Sequence, residues 1–215
     1  MEQIMANEGY KIISGLIKTI QVNKEYLSEL DGAIGDGDHG VNMNKGFTFC
    51  EKKLKNIQPD LAEAFDVLGK TLLMEIGGSM GPLYGTLFIG MSKSAKGKTI
   101  IGKSDFKDML KEGLEGIQEI VTAKVGDKTL MDTLVPGVEA YEKAMSENKS
   151  FSEALLLMKK AAEKGKNATR DMVARVGRAS RLGERSRGVL DAGATSCNLI
   201  LQSIADTMVD LIKGK

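Results

Sequence analysis

Tryptophan is absent from this 215-residue chain, proline occurs three times, cysteine twice and histidine once. With aromatics at 5 % there is no array of rings on which nucleic-acid bases could stack. A formal net charge of +1 leaves no basic field to hold a phosphate backbone or an acidic membrane surface. The two cysteines, Cys50 and Cys197, lie far apart and beside no extracellular signature, so they read as reduced thiols of a cytoplasmic protein. One histidine with no thiol nearby leaves a zinc ion short of the ligands it prefers. No apolar run is long enough to span a bilayer, and the charged, amphipathic start from Glu2 to Ile20 lacks the apolar stretch of a signal peptide. These absences predict a cytoplasmic chain with neither nucleic acid nor membrane as a partner.

What is present is a helical period. Apolar residues recur at three- and four-residue spacing over long stretches, beginning with Ile4, Ile12, Ile13, Leu16, Ile17 and Ile20. Asp60 with Glu63 and Ser150 with Glu153 have the spacing of capping boxes, and Ser104 stands before another stripe that runs through Phe106, Leu110 and Ile117. Asp191 to Ile212 carries the last stripe. Strand-like alternation is not evident. The expectation is an all-α fold: one domain over 1–215, about eight helices and no sheet, packed as an antiparallel bundle with short connections. Four connections stand out chemically: 31–40, 77–82, 126–129 and 177–193. Alternate connections of an up-and-down bundle share an end, so these four could meet at one mouth.

The first holds Asp31, Asp36, Asp38 and His39 among four glycines. Carboxylates this close repel one another unless a cation lies between them, and an oxygen-rich loop suits Mg²⁺. An EF-hand does not fit, since the twelfth position from Asp31 or Asp36 is Asn42 or Phe47 rather than a bidentate glutamate. His39 could be a ligand, a general base or a donor to phosphate; directly after two aspartates, its pKa is expected to rise. The second connection, Gly77-Gly78-Ser79-Met80-Gly81-Pro82, reads as a helix start with free backbone N–H groups, which suits an anion. All six arginines of the chain, at 170, 175, 178, 181, 185 and 187, lie in one segment, 170–187, that runs into the fourth connection. A planar guanidinium grips phosphate as lysine does not. Together these features point to a nucleotide-phosphate site on a helical scaffold.

The motifs Gly35-Asp-Gly-Asp-His-Gly40, Gly77-Gly-Ser79, Gly81-Pro-Leu-Tyr-Gly-Thr86, Gly126-Asp-Lys-Thr129, Gly177-Arg-Ala-Ser180, Leu182-Gly-Glu-Arg185 and Asp191-Ala-Gly-Ala-Thr195 run in order along nearly the whole chain. In this combination the sequence resembles the dihydroxyacetone kinase L subunits (DhaL). The resemblance implies an antiparallel eight-helix barrel with ADP or ATP and two Mg²⁺ at one end. It implies that Asp31, Asp36 and Asp38 bind the metals and that His39 and Asn42 stand by the phosphates. It also implies nucleotide contacts from Ser79, Met80 and Arg178, closure of the site by Asp191, Ala192 and Gly193, and an adenine pocket lined by Leu130. No residue is expected to act as a covalent nucleophile.

The family has two modes. In one, the domain is fused behind a dihydroxyacetone-binding domain and exchanges ATP. In the other, a free subunit keeps ADP as a resident cofactor and relays a phosphoryl group. The group comes from a phosphohistidine carrier, the M subunit of the phosphotransferase system, and goes to dihydroxyacetone on a K subunit. The span of the chain, from first helix to last, leads us to expect the free subunit. Two further readings stand beside it: a kinase subunit for another keto-sugar or acyl substrate, and a nucleotide sensor that binds a transcription regulator.

Overall fold

The computed structural model describes residues 2–214, among which nine α-helices are present. They are α1 (Gly9–Val22), α2 (Lys24–Ile34), α3 (His39–Lys53), α4 (Leu61–Glu75), α5 (Met80–Ala95), α6 (Lys103–Ile120), α7 (Met131–Ser146), α8 (Phe151–Ala168) and α9 (Ala192–Lys213). The fold is all-α, with a helix count above the expected eight. A break at Asn23 (φ −100°, ψ 8°) separates α1 from α2.

Consecutive helices from α3 to α9 pack as neighbours, and α1 closes the ring by lying against both α9 and α3. Ile12, Leu16 and Ile20 of α1 are fully buried in the resulting core. Two capping signals act as the sequence indicates: Asp60 accepts the N–H of Glu63 at 2.9 Å, and Ser150 and Glu153 cap each other reciprocally. The third does not. Helix α6 starts one residue before Ser104, on Gly102, and Asp105 is the acid that reaches back to the Gly102 N–H at 2.8 Å.

The expectation of no sheet is also corrected. Two three-residue strands, β1 (Gln3–Met5) and β2 (Ile100–Gly102), form an antiparallel ribbon with Ile4 opposite Ile101. Ile4 is therefore a strand residue rather than the first of the α1 stripe. Segments this short give no alternation to detect.

Many glycines of the helices serve close approach. A Cβ on Gly85 of α5 would lie 2.9 Å from the Leu73 Cβ and 3.0 Å from the Gly69 carbonyl oxygen of α4. Such contacts bring the helices together, with their connections gathered at the bundle ends. No described helix is long and apolar enough to cross a membrane.

Candidate functional site

The last turn of α2 delivers Asp31, and the chain then folds back tightly before α3 opens at His39. Two glycines permit this. Gly37 has φ +78°, and a Cβ on Gly35 would sit 2.4 Å from the Asp31 Oδ1. As a result, one carboxylate oxygen from each of Asp31, Asp36 and Asp38 lies within 4.8 Å of the others. The Asp31 carboxylate also accepts the His39 backbone N–H at 3.3 Å. Three converging hard oxygen donors, with neither sulfur nor imidazole among them, match Mg²⁺. From across the opening, the Arg178 guanidinium pairs with the Asp36 carboxylate.

This loop forms one wall of a cleft of about 780 Å³. All twelve residues singled out from the sequence line it: Asp31, Asp36, Asp38, His39, Asn42, Ser79, Met80, Leu130, Arg178, Asp191, Ala192 and Gly193. The up-and-down arrangement explains their meeting. Helices α3, α5, α7 and α9 all start at this cleft, so four N-termini, with their positive dipole ends, face one volume. A polyanion is the complement of such a surface, and the carboxylate loop could hold its counter-cations. A Cβ on Gly193 would come 3.6 Å from the Leu130 N, which shows how closely the starts of α7 and α9 approach.

His39 departs from expectation. It is buried, and burial pushes its pKa down to about 4, not up. Its Nε2 is 2.8 Å from the Ser196 Oγ, which is 2.6 Å from the Tyr84 hydroxyl; that hydroxyl donates to the Gly193 carbonyl at 3.0 Å. The imidazole is thus neutral and held by α5 and α9. At the floor, Asp191 caps α9 by accepting the Ala194 N–H at 2.7 Å. Desolvation first, then the charges of Asp132 and Asp31, push its carboxyl up to about 7 against that hydrogen bond and Lys128.

Several cleft residues were not foreseen. Residues 120–123, the last residue of α6 and the three after it, line one side. They carry neither a glycine pair nor a charge cluster, so their only sequence signal was the end of a helical stripe. Ser196 lay one position beyond a matched motif, and Tyr84 lay inside one without a role of its own. So did Lys128, whose ammonium is buried beneath the arginine segment.

A family profile described as the DAK2 domain matches residues 33–206. The chain belongs to the DAK2 domain family. Within that family its similarity is to the DhaL type, as its motifs indicate. It is 40 % identical over 182 residues to the ADP-binding subunit DhaL of the PEP-dependent dihydroxyacetone kinase of Escherichia coli (strain K12), covering 84 % of this chain and 87 % of that one. To the ADP-binding subunit DhaL of the PTS-dependent dihydroxyacetone kinase of Lactococcus lactis subsp. lactis (strain IL1403) it is 37 % identical over 190 residues, 88 % of this chain and 91 % of that one. These DhaL relatives are phosphotransferase subunits.

The dihydroxyacetone kinase of C. freundii shares the DAK2 fold. Its native crystal structure superposes with a TM-score of 0.70 at 23 % identity, over 92 % of this chain and 34 % of that one. Its complex with AMP-PNP and Mg²⁺ superposes with a TM-score of 0.67 at 21 % identity, over 96 % and 35 %. The chain thus spans about a third of that kinase.

Proposed function

We propose that this chain is the ADP-binding subunit of a PEP-dependent dihydroxyacetone kinase. In this reading it holds ADP or ATP with two Mg²⁺ and relays a phosphoryl group from a phosphohistidine carrier (the M subunit) to dihydroxyacetone on a K subunit. The carrying observation is the convergence of three carboxylates, four helix N-termini and the Arg178 guanidinium on one cleft. The free-subunit mode takes its support from the DhaL subunits, which this chain matches over nearly their whole length. A cytoplasmic location goes with it.

Phosphoryl transfer asks little covalent chemistry of a protein; positioning and neutralisation of charge account for most of the catalysis. Asp31, Asp36 and Asp38 would hold the Mg²⁺, which when bound offsets charge on the phosphate oxygens. The N–H groups at the start of α5, at Ser79 and Met80, and at the start of α9, at Ala192 and Gly193, would donate to the nucleotide. Asn42, one turn into α3, would add an amide donor beside the phosphates. Neutral His39, fixed through Ser196 and Tyr84, would offer a hydrogen bond without a titrating charge. Leu130 and the 120–123 segment would enclose the base. The reacting γ-phosphate would lie between Arg178 and the carboxylate loop, and none of these residues needs to become phosphorylated.

The test is native mass spectrometry of the purified protein, followed by turnover with a purified carrier and K subunit. Co-purified ADP and magnesium are expected, with a dissociation constant well below micromolar, beyond about 8 kcal/mol of binding. A phosphorylated carrier should sustain turnover and ATP alone should not. Fast multiple turnover on ATP alone would instead establish the ATP-exchanging mode.

A further inference from the structure

Residues 172–189 carry five of the six arginines, and apart from a short 3₁₀ stretch at Ala179–Ser186 they are irregular. We propose that Lys128 is the positioning residue that straps this segment over the cleft and thereby fixes where Arg178 stands. Its Nζ donates to the carbonyls of Met172, Ser186 and Val189 at 3.2, 2.5 and 2.7 Å. These acceptors mark the beginning and the end of the segment, 44 to 61 residues along the chain from Lys128. Three carbonyls match the three protons of an ammonium. The side chain is 2 % exposed, a costly place for a lysine unless every donor is satisfied.

The backbone is shaped to aim it. Lys128 has φ 63°, a left-handed conformation that a side chain-bearing residue keeps only when its surroundings enforce it. The enforcement is visible: the buried Asp132 carboxylate accepts the N–H of Gly126 at 2.6 Å and of Thr129 at 2.7 Å. Within the strap, the Ala174 N–H bonds the Ser186 Oγ at 2.9 Å, and the Arg175 N–H returns to the Asp127 carbonyl at 3.1 Å. Arg178 therefore stands on a loop whose two ends are drawn to one buried cation. The strap itself stands on geometry alone; its effect on ligand rests on the nucleotide reading above.

Because every arginine of the chain lies at 170–187, an arginine-specific protease cuts only in this segment and at Arg170 just before it, a site that peptide mapping separates from the other five. In the nucleotide-free protein, Lys128→Met is expected to raise the cleavage rate roughly tenfold or more by freeing local opening, with far-UV helicity unchanged. Its affinity for Mg²⁺ and N-methylanthraniloyl-ADP should fall by about tenfold as Arg178 loses its place. Cleavage at the wild-type rate overturns the strap. Faster cleavage with unchanged nucleotide affinity overturns the placing of Arg178 at the ligand. Should the variant fail to fold, reductive methylation of the wild-type protein decides. Lys128 is expected to resist labelling until the strap is nicked, and labelling at the rate of exposed lysines overturns the proposal.

Discussion

The guanidinium of Arg178 lies on the carboxylate of Asp36, joining the arginine strap to the acidic loop across 142 positions of sequence. Both side chains are largely exposed, so the pair adds little to stability. Its meaning is positional. One cation arm already reaches the point where divalent ions would be held, and a phosphate arriving with them offers that arm a planar, bidentate partner. Arg178→Lys should therefore lower phosphotransfer about a hundredfold, or about 2–3 kcal/mol in the barrier, with melting almost unchanged. Arg181→Lys, also exposed on the strap, should stay within about threefold. Steady-state rates of the two variants side by side provide the check.

The three clustered carboxylates make a second expectation. Mg²⁺ should raise the melting temperature of the wild-type protein, because a ligand of the native state stabilises it by mass action. Asp38→Asn removes one charge of the triad, so the Mg²⁺-dependent rise should shrink or vanish and phosphotransfer should be abolished. The metal-free variant should melt no lower than metal-free wild type, since one repulsive charge is gone. Thermal scans with and without chelator measure the three melting effects, and steady-state rates measure the loss of transfer.

The α4–α5 crossing provides a test of packing. Gly85→Ala would put a methyl within 3.0 Å of the Gly69 carbonyl oxygen, a backbone atom that cannot swing aside. The expected loss is about 1–3 kcal/mol, read as a lower urea midpoint with an unchanged slope.

Burial pushes the Cys50 thiol up to about 12 and drives that of Cys197 upward as well. Because the thiolate is the reactive form, neither should react with iodoacetamide at pH 8 in the folded protein, and both should react in denaturant. Peptide mapping after a timed pulse distinguishes the two states.

The parts legible in the sequence were those whose signal is local. Asp60–Glu63 and Ser150–Glu153 announce helix starts because both partners sit within one turn, and the Asp31–Asp38 loop announces a carboxylate cluster because its charges crowd within a few positions. His39 was misjudged because its neighbours in sequence are acidic whereas its surroundings in space are α5 and α9. The β1–β2 ribbon stayed hidden because its pairing spans about a hundred residues and each strand has only three. Lys128 looked like any other lysine of a motif; its function depends on carbonyls 44 to 61 positions away, for which no pattern of side chains codes.

The closure of the ring by α1 has a consequence for the order of events during synthesis. Helix α1 is made before the other described helices, yet its seat against α9 does not exist until nearly two hundred residues have followed, and β1 waits for β2 in the same way. The apolar stripe of α1 must therefore remain only partly covered while most of the chain emerges. The residues that floor the cleft, Asp191 to Gly193, stand at the start of α9, the helix against which α1 closes the ring. A nascent chain can consequently acquire its ligand only when its fold is complete, so a bound nucleotide would also mark a finished molecule.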